Sequence, residues 1–272
     1  MIRQITIIPG HGKSHAPESV PRIELNMGDV VSIVGPTGSG KTTLINDIEL
    51  FANGDTPTGR RILIDGEAPP NIYREDPAYH PIALITQHTN FLSDLPVKSF
   101  LSTHAQIRSA DPQNVDELVA QTLDFANQLT GEPIILSSRM TELSGGQTRA
   151  LLIADATIVC NTPIVLLDEV ENAGIHRTRA LELLRAYKKI FIFVTHDPRI
   201  ALLSDFRIVM RHGSITEVIK TEAAERAFAV TVSRLDDALS RLRNTIRLGG
   251  RLTQEDMAGL NAFGPASAEV GA

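Results

Sequence analysis

Residues Gly35 to Thr42 read Gly-Pro-Thr-Gly-Ser-Gly-Lys-Thr. Gly35, Gly38 and Gly40 free the backbone to curl, so that successive N–H groups point at one anion. Lys41 adds a cation for the outer phosphates of a nucleoside triphosphate, and the Thr42 hydroxyl is suited to ligating Mg2+. A second cluster lies at Ile164 to Glu169, Ile-Val-Leu-Leu-Asp-Glu. An apolar strand there ends in two carboxylates. Asp168 is positioned to hold Mg2+ directly or through water. Glu169 beside it is the natural group to polarise an attacking water. Together these residues describe hydrolysis of a terminal phosphate.

The flanking segments are the ones such chemistry needs. Asp29 to Val34 is a short β-branched run that reads as a buried strand, and Thr42 to Phe51 has helical composition. A helix opening directly after the loop offers its N-terminus to the phosphates. Arg61 to Ile64 and Ile82 to Thr86 read as strands, with Gly66 to Pro81 a surface connection between them. From about Asp94 to Met140 helical windows such as Val115 to Leu129 take over. Helices over Ser144–Ile158 and Arg177–Tyr187 then alternate with strands over Ile164–Leu167, Ile190–Thr195 and Phe206–Met210. That alternation predicts an α/β fold with a mostly parallel, covered sheet and an inserted helical subdomain.

A third motif, Leu143 to Gln147, reads Leu-Ser-Gly-Gly-Gln and opens a helix. With Lys41, Asp168, Glu169, Gln87 after one strand and His196 after another, the chain resembles the ATP-binding cassette family over about residues 28 to 215. The resemblance implies a phosphate-loop core over residues 1–220, a helical subdomain at about 91–148 and a short C-terminal helical extension over 221–272. It implies ATP and Mg2+ as cofactors. Gly35, Pro36, Thr37, Gly38, Ser39, Gly40, Lys41, Thr42 and Thr43 would cradle the triphosphate. Thr42, Gln87 and Asp168 would serve Mg2+, with Glu169 as base and His196 holding it in place. Ser144, Gly145, Gly146 and Gln147 would face the γ-phosphate bound to a second cassette. A glycine-rich helix N-terminus is an anion site. Two chains facing each other give each such terminus an anion and each phosphate a closed cage.

The chain departs from the family pattern in four places. No aromatic residue precedes Phe51, so either His11 or His15 stacks on the base or apolar contacts hold it. Asn172 to His176 replaces the usual small-residue and carboxylate segment, which makes His176 a candidate for pH-sensitive pairing. Ile153, Ala154 and Asp155 stand where a second arginine commonly follows Arg149, and the interval from Glu169 to His196 is short.

Two roles follow: the ATP-binding subunit of a transporter docked to a permease, or an ATPase that remodels a protein or nucleic-acid partner without transport. The net charge of −6 argues against a broad grip on nucleic acid. No stretch is long and apolar enough to span a bilayer, so the expected place is the cytoplasm, reaching a membrane only through a permease. The expected partners are a second copy or a paired cassette. Cys160, the single cysteine, lies in an apolar run and reads as a buried thiol. Phe228, Val232, Leu235, Leu239, Leu242 and Ile246 form a heptad seam that either packs on the parent domain or pairs with a partner. A kinase has no use for the Leu-Ser-Gly-Gly-Gln segment.

Overall fold

A computed structural model describes residues 2–108, 114–169 and 177–253. Side-chain alternation sets the layers. In β6 (Ile164–Asp168), Val165 and Leu167 join one hydrophobic cluster while Ile164 and Leu166 join another, and all four are fully buried. A strand buried on both faces needs a covering layer on each. β6 sits in a six-stranded sheet with β3 (Val30–Val34), β5 (Ile82–Thr86), β7 (Ile190–Val194), β8 (Phe206–Arg211) and β9 (Ser214–Lys220). The order is β5-β6-β7-β3-β8-β9, parallel except for β9.

One face is covered by α3 (Val97–Arg108), α4 (Val115–Leu129), α5 (Gly145–Thr157) and α6 (Arg177–Ala186). Leu101, Phe125, Leu151 and Leu184 are among the side chains they contribute to that core. The other face is covered by α1 (Lys41–Glu49) through Leu44, Ile45 and Ile48. Beyond α1 lies an antiparallel sheet of β2 (Ile23–Asn26), β1 (Gln4–Ile8) and β4 (Arg61–Ile64). The pairs Ile5 with Leu25 and Ile5 with Ile64 align its apolar positions. β1, β2 and β9 are strands beyond those expected from local sequence pattern. β1 and β2 make sense only once residues far apart in the chain are paired, whereas β9 is the return arm of a hairpin with β8.

Boundaries differ in instructive ways. α1 ends at Glu49 rather than Phe51 because Phe51 takes a left-handed φ of 51° that no helix continues. The 66–81 connection is not all loop: it holds the four-residue helix α2 (Ile72–Glu75). The short helix α7 (Pro198–Leu203) is started by Asp197, whose side chain accepts from the Arg199 N–H. Cys160 is not the buried apolar thiol the sequence suggests. It is half-buried beside His104 and Asp155, because Asp155 one turn earlier faces it from the end of α5. A hydrogen bond to the Asp155 carboxylate, and a second contact with Cys160, push the His104 imidazole up to about 10, against the opposing effect of burial.

The chain divides into two compact units, residues 1–221 and 222–272. Within the second, α8 (Ala223–Arg247) carries the heptad positions on a single continuous helix. Phe228, Leu235, Leu239 and Ile246 are exposed along it.

Candidate active site

Four neighbouring parallel strands end together at one edge of the large sheet. The register pairs Thr86 with Asp168, Asp168 with Val194, and Ile33 with Val194. Gln87, Glu169, His196 and Gly35, which follow these strand ends, therefore emerge side by side. The crevice beyond the carboxyl ends of parallel strands is where open α/β sheets bind ligands.

The loop from Gly35 to Gly40 is held from behind. Gly35 and Gly40 adopt φ of 154° and 98°, and a Cβ on Gly40 would lie 2.9 Å from the Gly213 Cα. Only glycine lets the chain pass that close to the β8–β9 turn in that conformation. The Gly213 N–H donates to the Ser39 carbonyl at 2.8 Å. Pro36, Thr37 and Gly38 stay exposed, as do Thr42 and Thr43 on the first turn of α1. Lys41 is buried and donates to the carbonyls of Gly35 and Pro36 at 2.9 and 3.2 Å, which folds its ammonium back over the loop. The Ser39 hydroxyl is buried with no hydrogen-bond partner. A curled loop, an inward ammonium, an orphan hydroxyl and an open helix N-terminus fit a bound polyphosphate.

Glu169 is the strained residue of the site. Its φ is 51°, left-handed for a side chain with a Cβ, a conformation costing about 1–3 kcal/mol. Its N–H is tied to the Val194 carbonyl at 3.1 Å. That twist turns the carboxylate toward His196, whose Nε2 lies 3.4 Å from Oε1. Both side chains keep roughly a third to a half of their surface open, at 36% and 48%. The pair can therefore meet a water and a ligand.

Gln87 reaches the same edge, but its side-chain amide is hydrogen-bonded to the His88 ring at 3.1 Å. Its carbonyl accepts from the Arg149 guanidinium, which also donates to the Gly145 carbonyl at 2.9 Å. Arg149 thus joins the start of α5 to the segment after β5. Burial holds its pKa below the usual guanidinium range.

At the head of α5, Ser144 and Gln147 form a reciprocal cap: the Ser144 N–H donates to Gln147 Oε1 at 2.9 Å, and the Gln147 N–H to Ser144 Oγ at 3.3 Å. Gln147 also donates to the Pro133 carbonyl at 3.1 Å. Ser144 and Gly145 are exposed, with Gly146 half-buried. Among the described residues, Ser144, Gly145 and Gly146 make no hydrogen bond to the phosphate loop.

Sequence reasoning misses two supports of the loop. Lys13 donates to the Gly38 carbonyl at 3.3 Å, which brings the turn holding His11 and His15 beside the phosphate loop. The His11 and His15 rings are 5.1 Å apart. Arg60 is fully buried and binds Glu18, Asp47 on α1 and the Gly213 carbonyl at 2.6, 2.9 and 2.8 Å. Nothing in the sequence signals a buried arginine whose partners are so distant along the chain. His176 and the rest of Asn172 to His176 lie outside the described residues.

A glycine-rich loop between a parallel strand and a helix, with paired acids at the end of the next strand but one, defines a phosphate-loop nucleoside triphosphatase. The ABC transporter family description matches residues 21–172, and the chain belongs to that family of ATP-binding proteins, which are ATPases. It is 46% identical over 257 residues to an uncharacterized ABC transporter ATP-binding protein of Methanocaldococcus jannaschii, covering 94% of this chain and 97% of that one. It is 28% identical to a spermidine/putrescine import ATP-binding protein of Lawsonia intracellularis, covering 82% of this chain and 60% of the relative. Among solved structures it resembles a Clostridium perfringens protein that is part of an ABC transporter complex, at TM-score 0.62, 19% identity, and 91% and 99% coverage. A dimeric ATP-binding cassette bound to ADP and phosphate matches at TM-score 0.58, 20% identity, and 80% and 99% coverage. These two likenesses show the fold. No described helix is long and apolar enough to cross a membrane.

Proposed function

We propose that this chain is the Mg2+-dependent ATP-hydrolysing subunit of a transporter, working as a head-to-tail pair. The observation that carries the reading is the convergence of the phosphate loop, Asp168, Glu169 and His196 at one sheet edge, with His196 3.4 Å from the Glu169 carboxylate. Gly35 to Thr43 bind the triphosphate, with Lys41 on the outer phosphates. Thr42, Gln87 and Asp168 would hold Mg2+, which would neutralise charge on the phosphates. Glu169 takes the proton of the attacking water, and His196 keeps that carboxylate in place. Ser144, Gly145, Gly146 and Gln147 close the cage on the partner's ATP. His15 or His11 stacks on adenine, a reading supported by the Lys13 hydrogen bond beside the loop. The cassette spans residues 1–220, with the helical subdomain at about 91–148 inserted, and 221–272 form the extension.

The protein works in the cytoplasm, at the inner face of the membrane through a permease. The names of the relatives, an importer subunit among them, support transport. The exposed apolar residues along α8 favour a second reading, a soluble non-transport ATPase that remodels or activates a protein or nucleic-acid partner.

Phosphate release from ATP by the purified chain tests the chemistry. Turnover is expected to vanish with EDTA, and Lys41→Ala is expected to lose ATP affinity. Turnover in EDTA or unchanged affinity contradicts the assignment. Purification of the Glu169→Gln variant from its native cells tests the role. Retention of a protein with many membrane spans supports transport, and retention of a soluble client alone supports the second reading.

A further inference from the structure

At the opposite edge of the large sheet, three side chains with different donor atoms converge. His104 projects from α3, Asp155 from the last turn of α5, and Cys160 from the segment leading into β6. His104 Nδ1 lies 2.8 Å from Asp155 Oδ1. Cys160 Sγ lies 3.9 Å from His104 Nε2 and 3.7 Å from Asp155 Oδ2. One ligand atom from each residue can be chosen so that all three lie within 4.8 Å of one another.

We propose that His104, Asp155 and Cys160 form a second metal site, separate from the nucleotide, for a borderline-soft divalent ion of the zinc class. The geometry supports this. A tetrahedral ion with bonds of about 2.3 Å to sulfur and about 2.0 Å to nitrogen or oxygen sets its donors about 3.3–3.5 Å apart. The two sulfur edges, which run to His104 Nε2 and Asp155 Oδ2, are longer by only a few tenths of an ångström. An ion takes one imidazole nitrogen, and the edge between histidine and aspartate donors lies within 4.8 Å. The donor set discriminates. Thiolate and imidazole favour zinc, cobalt, nickel or copper, and Mg2+ prefers an all-oxygen shell. The Mg2+ that serves ATP is thus a poor competitor.

The surroundings leave a way in. Cys160, Asn161 and Thr162 line a cavity of about 960 Å3, shared with Tyr73, His80 and Arg108. Cys160 therefore reaches solvent through that cavity. The site is also distinct from the ATP crevice by topology. Cys160 precedes the amino end of β6, while Asp168 and Glu169 stand at its carboxyl end. A bound ion clamps α3 to the tail of α5, the helix whose head is Ser144 to Gly146, and to the start of the strand that carries the acids.

The test uses the full reduced chain without nucleotide, kept in a phosphine reductant. Zn2+ retained after gel filtration is measured by elemental analysis, and Co2+ is used as the spectroscopic probe. The expected result is one Zn2+ per chain and, with Co2+, a thiolate-to-metal charge-transfer band with tetrahedral visible bands. Cys160→Ser is expected to abolish that charge-transfer band. His104→Gln is expected to weaken Zn2+ binding by about tenfold or more. Each variant's thermal unfolding is recorded without metal, so that a loss of fold is not read as a loss of site. Absence of stoichiometric Zn2+ overturns the proposal. So does binding that survives in both variants, as it would if His11 and His15 held the ion; a His11→Asn variant identifies that case.

Discussion

Glu169 holds a backbone conformation that β-strand continuation would not produce, and its position beside His196 depends on it. Backbone strain of this kind persists only where the surroundings over-determine it, here through the Val194 hydrogen bond and β6 packing. Glu169→Gln keeps the shape and removes the base. Its turnover is expected to fall by about 10²–10⁴-fold with ATP affinity retained, measured by single-turnover phosphate release. Equal turnover in Glu169→Gln and the parent would remove Glu169 from the chemistry. Glu169→Gly relieves the φ cost and is expected to be as inactive, since strain relief does not restore a proton acceptor. The Ser144 hydroxyl already caps α5, so Ser144→Ala is expected to cost stability by about 0.5–2 kcal/mol in addition to any effect on the cage, read by urea unfolding.

Between elements, buried polar links set the precision of the crevice. Arg60 ties β4 to α1 through Asp47, to the N-terminal turn through Glu18, and to the β8–β9 turn through Gly213. Burial pushes the Glu18 carboxyl up. Hydrogen bonds from Arg60 and from the N–H groups of Ile215 and Gly10 outweigh it and hold the group below its ordinary 4.5. A lowered native pKa contributes stability that is fully present above about 4.5 and lost as pH falls through the lowered native value. Glu18→Gln leaves Arg60 buried with its charge uncompensated on that side. It is expected to cost about 3–5 kcal/mol at neutral pH and to flatten the acid limb of the stability curve. Denaturant melts at neutral pH and near pH ~4 check both effects; an unchanged acid limb would show that Glu18 is not the group responsible.

Much of this level was legible in the sequence, and the reason is locality. The glycine loop, the α5 cap and the β6 acids are contiguous motifs whose spacing alone defines a backbone shape. Val115–Leu129 and Ile82–Thr86 emerge with the bounds their periodicity gives. The Arg60 cluster, the antiparallel layer and the His104–Asp155–Cys160 group were not legible. Arg60 meets partners 13, 42 and 153 positions away, and His104 meets Asp155 and Cys160 51 and 56 positions away; no periodicity records such a meeting. Cys160 misled for the same reason: its neighbours in sequence are apolar while its neighbours in space are not.

For the whole molecule, the layout asks for a second chain. The phosphate loop faces outward at the sheet edge, and the capped head of α5 presents exposed Ser144 and Gly145. In the proposed mechanism each half supplies one side of the γ-phosphate cage. Ligand that binds the paired state better than the single one shifts the population toward it. Ser144→Arg places a bulky cation at that head and is expected to stop hydrolysis while single chains still bind ATP, checked by nucleotide titration under dilute conditions. Loss of binding in the single chain would place Ser144 in its own site rather than its partner's. The most direct measurement is the mass of the Glu169→Gln variant by light scattering with saturating ATP and Mg2+, and again with ADP. Pairing across ATP predicts twice the chain mass with ATP and a return to the single chain with ADP. A single-chain mass with saturating ATP would contradict it.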